Sequence, residues 1–355
     1  MQIAPDSLRL FAAEILSRAS GQPELAARVA NRLVTANLTG HDSHGVGMVP
    51  KYVEGIRAGE LKPAARIEVV SDKGPFLLVD GGLGFGQVIA EEAMQLAIER
   101  ARSNHFALLS LRNSFHIGRI GDWAEMAAEA GFISIHYVNV LSPNALVAPF
   151  GGSDPRFSTN PYCTAIPATK RTPMTVLDMA TSTIAHGKAR VAYLAQKKVP
   201  WGALIDSEGR ETDDPAVMFE EPKGALTTFG AHKGFGLAML GDLLGGSFSG
   251  GGAHLPGRVV EGRIVNNMMA ILIDPDVFGG AHGFFADLDA YVAWVKSSPP
   301  APDGEGVMVP GDPERRARAA RAEEIPLDSG TWAQLIETAQ LVGIGEDEVR
   351  TLSGT

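Results

Sequence analysis

The chain has almost no cysteine, few aromatic residues and no long apolar run. Its single thiol, Cys163, excludes an internal disulfide framework and a zinc site built from cysteines. No apolar stretch approaches the ~20 residues that span a bilayer, so no membrane association is expected. Positive charge is also scarce. The 31 Lys and Arg are outnumbered by 41 Asp and Glu, and the net charge of −10 argues against nucleic acid or an anionic surface as a partner. What remains is ordinary globular material, 45% hydrophobic over 355 residues, with length for about two domains. Asp6, Arg9, Glu14 and Arg18 interrupt any secretory apolar core, while Leu8, Phe11, Ala12, Ile15, Leu16 and Ala19 recur at helical spacing. A cytoplasmic protein is expected.

The first 60 or so residues read as helical. One helix ends at Gly21 and a second opens on Pro23 and runs to about Leu38. A break follows at Gly40–Gly47, then a third helix passes through Tyr52 to Gly59. From Arg66 the texture changes to strands (Phe76–Asp80, Ala107–Leu111, Phe132–Val138) alternating with helices (Val88–Arg102, Ile120–Ala130). The stretch Asn139–Thr175 is rich in Pro, Gly, Asn and Ser and carries one clear strand, Cys163–Pro167. A strand at Thr175–Asp178 follows, then helices from about Thr183 and from Lys233 to Leu244. Gly245–Gly252 must be a turn-rich loop or a tight packing site. A strand at Asn267–Asp274, a helix at Leu288–Lys296 and a helical tail from Pro313 complete the chain.

Val79 to Gly86 follows a strand and precedes a helix, the setting of a dinucleotide fingerprint. Its spacing fails. Gly82 and Gly84 supply two glycines, but Gln87 stands at the third position, and the next strand ends in Arg112 and Asn113 rather than an acid. A plain turn at a helix start is the better reading.

Polar chemistry gathers elsewhere. His41-Asp42-Ser43-His44-Gly45 lies at a helix break, where a histidine beside Ser and Asp suits proton transfer, or where Asp42 or Ser43 simply caps the next helix. Arg112–Arg119, with His116, follows a strand and opens a helix, a natural ligand position. Gly151-Gly152 with Ser158-Thr159-Asn160 offers close backbone approach and neutral hydrogen bonds. Leu177–Ser182 presents Asp178 at a strand end, with His186-Gly187-Lys188 beyond it. His232-Lys233-Gly234 sets a lysine at a helix start, suited to phosphate.

Taken together and in this order, these blocks resemble the type-2 malate/L-lactate dehydrogenase family, also called L-sulfolactate dehydrogenase-like. Ureidoglycolate dehydrogenase, 2,3-diketogulonate reductase and Δ1-piperideine-2-carboxylate reductase belong to it. The resemblance runs from about Leu8 to the C-terminal helices and is carried by Gly40–Val46, Asn113–Gly118, Val147–Gly152, Thr159–Pro161, Leu177–Ser182, Gly187-Lys188, His232–Gly236 and Val309–Glu314. It implies an α/β fold in which a non-Rossmann, mixed-sheet domain that binds NAD or NADP (residues 71–324) is inserted between N- and C-terminal helices (1–70 with 325–355). It implies a homodimer or larger assembly, and hydride exchange with a 2-hydroxy/2-oxo acid or cyclic imino acid. It makes His44 the general acid/base, Asp178 its orienting partner and Ser43 their neighbour. Met48, His116 and Thr159 would face the substrate. His116, Ile117, Gly118, Ser142, Asn144, Asp178, Met179, Ala180, Thr181, Lys188, Lys233, Gly311 and Glu314 would line the cofactor cleft, and no metal is implied.

One departure stands out. The family usually carries arginine four residues after the catalytic histidine, to hold the substrate carboxylate, and this chain has Met48. A thioether cannot imitate a bidentate guanidinium. Two other readings compete: a paralogue that binds a cofactor or metabolite with altered or lost turnover, and a hydrolase using His41 and His44. The basic run Arg315, Arg316, Arg318, Arg321 reads as a solvated helix rather than as a 2′-phosphate site.

Overall fold

The computed structural model describes residues 1–258 and 263–354. Along the chain these form β1 (Gln2–Ile3), α1 (Pro5–Ser20), α2 (Pro23–Leu38), two 3₁₀ turns (Asp42–His44, Val46–Met48), α3 (Val49–Arg57), β2 (Glu68–Lys73), β3 (Phe76–Asp80), α4 (Gly86–Asn104), β4 (Phe106–Ser114), α5 (Gly121–Glu129), β5 (Ile133–Leu141), β6 (Tyr162–Ile166) and β7 (Thr175–Met179). Next come α6 (His186–Leu194), β8 (Leu204–Ile205), β9 (Glu211–Thr212), a 3₁₀ turn (Pro215–Met218), β10 (Ala225–Leu226), α7 (His232–Leu240), a π turn (Gly241–Ser247), β11 (Val265–Ile273), α8 (Ala281–Lys296), α9 (Asp312–Ala320), β12 (Ile325–Pro326), α10 (Ser329–Leu341) and α11 (Glu346–Ser353).

The N-terminal helices form where the sequence punctuates them. Pro5 opens α1 with Asp6 in the first turn, Arg18 sits in the last, and Gly21 closes it in the left-handed region at φ 67°. Leu8, Phe11, Ala12, Ile15 and Leu16 fall on one face and are buried. That face packs with α2, α3 and the C-terminal Leu335, Ala339, Ile344 and Val349 in one apolar cluster. Burying each large aliphatic side chain contributes roughly 1.5–3 kcal/mol. The chain ends are tied together: β1 pairs antiparallel with β12.

The middle of the chain forms a mixed seven-stranded sheet, in the order β2-β3-β4-β11-β5-β6-β7. Only β3 and β4 run parallel, joined by α4; the other neighbours are antiparallel. A second apolar cluster fills the space between this sheet and α4 and α5, with Cys163 buried in it. A third gathers around α6, α7 and the small β10-β8-β9 sheet. That last sheet is absent from the sequence reading because two-residue strands carry no periodicity.

The glycine turn between β3 and α4 is occupied by the protein's own backbone. Gly81 and Leu83 donate their N–H groups to Arg112 and Asn113 carbonyls, each at 2.8 Å, and Phe115 N–H reaches back to Gly84. A Cβ at Gly86 would lie 2.0 Å from the His116 carbonyl oxygen. The turn is glycine-rich so that residues 112–116 can cross it. The second glycine-rich segment is likewise a packing site: a Cβ at Gly245 would meet Tyr137 O at 2.8 Å, and one at Gly251 would meet Asn267 Oδ1 at 2.0 Å.

Overpacking a filled interior costs about 1–3 kcal/mol. Gly86→Ala is therefore expected to lower stability by about that amount or more, with its urea midpoint falling below wild type; an unchanged midpoint would show that the crossing is loose.

Candidate active site

The loop carrying His41 to His44 is held from three sides. Asn37, buried on α2, donates from Nδ2 to Asp42 Oδ1 at 2.7 Å and accepts the Val46 N–H at 2.9 Å. Gly45 makes this approach feasible, since a Cβ there would lie 2.2 Å from Asn37 Oδ1. Arg321, just beyond α9, grips both Asp42 oxygens at 2.8 and 3.1 Å. Glu314 of α9 meets His41 Nε2 at 3.2 Å. Charge-assisted bonds of this kind are the stronger ones.

His44 is thereby turned toward the loop after β4. Its Nδ1 lies 3.2 Å from His116 Nε2, with the two rings nearly parallel. His116 Nδ1 lies 2.7 Å from Tyr52 Oη, which accepts a 2.6 Å bond from Gln87 Nε2. The His116 loop is pinned by two asparagines of β11: Asn267 Oδ1 accepts the Asn113 N–H at 2.8 Å and Asn266 Oδ1 the Ile117 N–H at 3.0 Å. Removal from water lowers His116 to about 3, and the neighbouring His44 adds to this. Desolvation also lowers His44 to about 4; Asp178 opposes the fall, while His41 and Arg119 assist it. Both rings are neutral at pH 7.

Asp178, which the resemblance makes the orienting partner of His44, has its hydrogen bond elsewhere in this structure. It ends β7 facing the start of α5, where its Oδ2 accepts the Gly121 N–H at 2.7 Å and lies 3.6 Å from Arg119 Nε. A helix N-terminus and a guanidinium both hold an anion there. Arg119 itself is fully buried and bonds to Asp122 and Glu125 at 3.0 and 2.7 Å. Asp178 thus acts on His44 through its charge, and the ring's contact is His116.

The other residues fall into two groups. Ser43 abuts α6, its Cβ 3.3 Å from where a Gly187 Cβ would stand. Met48 is half-buried against the N-terminal cluster. Lys188 and Lys233 stand in the first turns of α6 and α7, with no carboxylate partner among the described residues. The segments ahead of both helices are paired, Thr183 N–H to Thr227 O and Phe229 N–H to Thr181 O. Other side chains are committed locally. The Thr181 hydroxyl faces the Thr159 and Asn160 carbonyls, Ser142 donates to Asn144 O, and Gly311 starts α9 at φ 93° against Met174 O. Arg315, Arg316, Arg318 and Arg321 each face a carboxylate of the chain. Among the described residues no three His, Cys, Asp or Glu converge as a metal-binding group.

A sequence model of the malate/L-lactate dehydrogenase family matches residues 3–336. Hydroxycarboxylate dehydrogenase B of Escherichia coli (strain K12) is 42% identical over 347 residues, covering 97% of this chain and 95% of that protein. The L-lactate dehydrogenase of Cupriavidus necator is 37% identical over 344 residues, covering 97% and 99%. A solved structure from E. coli superposes with a TM-score of 0.94 at 41% identity, covering 99% of this chain and 98% of that one. The chain belongs to the malate/L-lactate dehydrogenase family. It is an oxidoreductase of the dehydrogenase class, and its fold is the mixed-sheet one expected.

Two buried imidazoles, His116 and His136, and the half-buried His44 make stability depend on pH. His44, His116 and His136 of β5, the last lowered to about 3 by burial, start from an ordinary value of 6.5. Below 6.5 the unfolded chain protonates them and the folded chain does not. Their contribution is complete above 6.5 and is lost as the pH falls toward 4. The urea midpoint is expected to be lower at pH 5 than at pH 7, and His136→Leu should make that fall shallower. An equally steep fall in the variant would remove His136 from the account.

Proposed function

We propose that the chain transfers a hydride between NAD or NADP and a 2-hydroxy/2-oxo acid or a cyclic 2-imino acid, with His44 as general acid/base. The observation that carries this reading is the neutral His44–His116 pair at the mouth of a loop clamped between the N-terminal helices and α9. A neutral imidazole is the form that accepts a hydroxyl proton. The similarity to proteins named for hydroxycarboxylate and L-lactate oxidation supports the substrate class.

The donor set suits a dinucleotide. Lys188 and Lys233, without a carboxylate partner among the described residues, place a point charge in the first turn of their helices, as a pyrophosphate requires, while their own N–H groups donate to the Ala185 and Gly230 carbonyls. His116, Ile117, Gly118, Asp178, Met179, Ala180, Thr181, Gly311 and Glu314 would border the remainder, with Ser142 and Asn144 at its rim. When bound, the nicotinamide supplies the hydride acceptor or donor. In the oxidative direction His44 takes the hydroxyl proton as the carbinol carbon gives up its hydride. In the reductive direction His44 returns a proton to the oxygen or nitrogen. The negative field of Asp178 favours the protonated ring, and Ser43 and Thr159 offer hydrogen bonds to the substrate. Assembly as a homodimer, in the cytoplasm, completes the reading. α8 supports association: none of its side chains is buried, and Tyr291 and Trp294 are largely exposed.

General acid–base catalysis typically contributes about 10²–10⁴-fold. His44→Asn is expected to reduce turnover by about that range while cofactor binding, followed by fluorescence quenching, survives; Asp178→Asn should show part of the loss. The test is a panel of linear 2-oxo acids and cyclic imines with NADH and NADPH, read at the nicotinamide absorbance. Near-normal turnover in both variants would sink the assignment.

Met48 redirects specificity. A hydrogen bond to a charged group is worth about 1.5–3 kcal/mol, roughly ten- to a hundredfold in affinity. The methionine instead offers a flexible apolar surface. Malate and lactate should be poor substrates and a bulkier or cyclic acid preferred, its carboxylate held by backbone amides or by an arginine from elsewhere. Met48→Arg is expected to lower KM for pyruvate or oxaloacetate by about tenfold or more. No gain in a folded, cofactor-binding variant would defeat the idea.

A further inference from the structure

Gln87 is the residue that breaks the glycine fingerprint, and in the fold it ends a row of hydrogen bonds. Its amide is buried. Nε2 donates to Tyr52 Oη at 2.6 Å, while Oε1, also buried, has no hydrogen-bond partner among the described residues. From Tyr52 the row continues to His116 Nδ1 at 2.7 Å, and from His116 Nε2 to His44 Nδ1 at 3.2 Å. A buried amide oxygen without a partner is uncommon and calls for a reason.

The reason follows from counting protons. A neutral imidazole has one donor and one acceptor nitrogen, and a tyrosine hydroxyl has one hydrogen; the other acceptor near Tyr52 Oη, the His116 carbonyl, is 3.5 Å away against 2.7 Å for Nδ1, so with the shorter bond made the direction of one bond in the row sets the others. With Nε2 toward Tyr52, the hydroxyl gives its hydrogen to His116 Nδ1. His116 then carries its proton on Nε2 and gives it to His44 Nδ1, and the proton of His44 sits on Nε2. With the amide turned so that Oε1 faces Tyr52, every bond reverses, and His44 donates from Nδ1 to His116. Only in this second direction can His44 Nε2 gain or lose a proton with nothing else in the row moving. In the first direction, a protonated His44 would set its Nδ1–H against the Nε2–H of His116.

We infer that Gln87 is a positioning residue: its amide, acting through Tyr52 and His116, decides which nitrogen of His44 carries the ring proton, and it turns between two orientations as His44 becomes charged. The inference rests on the acid/base role proposed for His44. The unpaired Oε1 is the acceptor that the second direction uses. Other groups act on His44 as charges: Asp178 from β7 favours its protonation, while His41 of its own loop and Arg119 from ahead of α5 oppose it. None of these three hydrogen bonds to Tyr52, His116 or Gln87, so they set the level of proton affinity and not the direction of the row.

The test is the tautomer of each ring, read by ¹⁵N NMR of histidine-labelled, cofactor-free protein at pH 8 in wild type, Gln87→Glu and Gln87→Met. A carboxylate can only accept. Gln87→Glu is therefore expected to move the His116 proton from Nε2 to Nδ1 and to raise the titration midpoint of His44 by about one unit, a tenfold change in proton affinity. Gln87→Met, close in shape, should leave His116 protonated on Nε2. It should also lower kcat about tenfold or more with the cofactor KM unchanged, and Tyr52→Phe added to it should cost nothing further. His116 protonated on the same nitrogen in wild type and Gln87→Glu would overturn the inference, and Gln87→Glu alone decides it if Gln87→Met does not fold. The spectra need no turnover. A wild-type protein inactive on every acid tested would refute the proposed function, and the tautomers would still decide the role of Gln87.

Discussion

The crossing of residues 112–116 over the glycine turn between β3 and α4 is the constraint on which the site depends. The His116 carbonyl lies where any side chain at Gly86 would stand. That contact seats the His116 loop against α4 and brings Gln87 of the adjoining helical turn within reach of Tyr52. β11 enforces it from the other side through Asn266 and Asn267, whose side chains take the place of ladder bonds where the register with β4 shifts. The parallel β3-α4-β4 unit, which in other folds would cradle a dinucleotide, here buttresses a histidine.

A second dependence joins the two halves of the molecule. The N-terminal helices share their core with α10 and α11, and the sheet has a core of its own. The His44 loop stands between them, fastened by Asn37 below and by Glu314 and Arg321 from α9. Its own cap geometry could not hold it. Neither 3₁₀ turn carries a side-chain cap; one fixed point, Asn37, is local, and the other two, Glu314 and Arg321, lie more than 270 residues away. Asp178 shows the same economy. One carboxylate caps α5, balances Arg119 and supplies the negative field felt by His44.

Much of this was legible beforehand. The N-terminal helices announced themselves through the spacing of Leu8 to Ala19, through Gly21 and through Pro23, and the sheet strands through short apolar runs, since local signals decide them. The motif blocks marked His44, His116 and Asp178 as belonging to one site. The partnership among them was not legible. Asp178 read as the companion of His44, yet the nearby α5 amide and Arg119 take its oxygens, a consequence of strand register that no spacing encodes. Tyr52 showed only as a residue of the third helix. Gln87 carried no positive signal, because its role arises from two segments brought together by the parallel crossover. Asn37 and Arg321 were equally hidden, as 284 residues separate the two.

The pairing of β1 with β12 has a consequence for synthesis. Gln2 meets Pro326, and the first residue's amino group donates to the Leu327 carbonyl. A ribosome extending the chain at about 5–20 residues per second leaves the leading helices without their packing partners until residues 325–349 emerge. For most of that interval Leu8, Phe11 and Ile15 have no C-terminal cover, while the sheet between can already assemble. The order of emergence therefore places the His41–His44 loop, held by Glu314 and Arg321, among the last parts to acquire its shape.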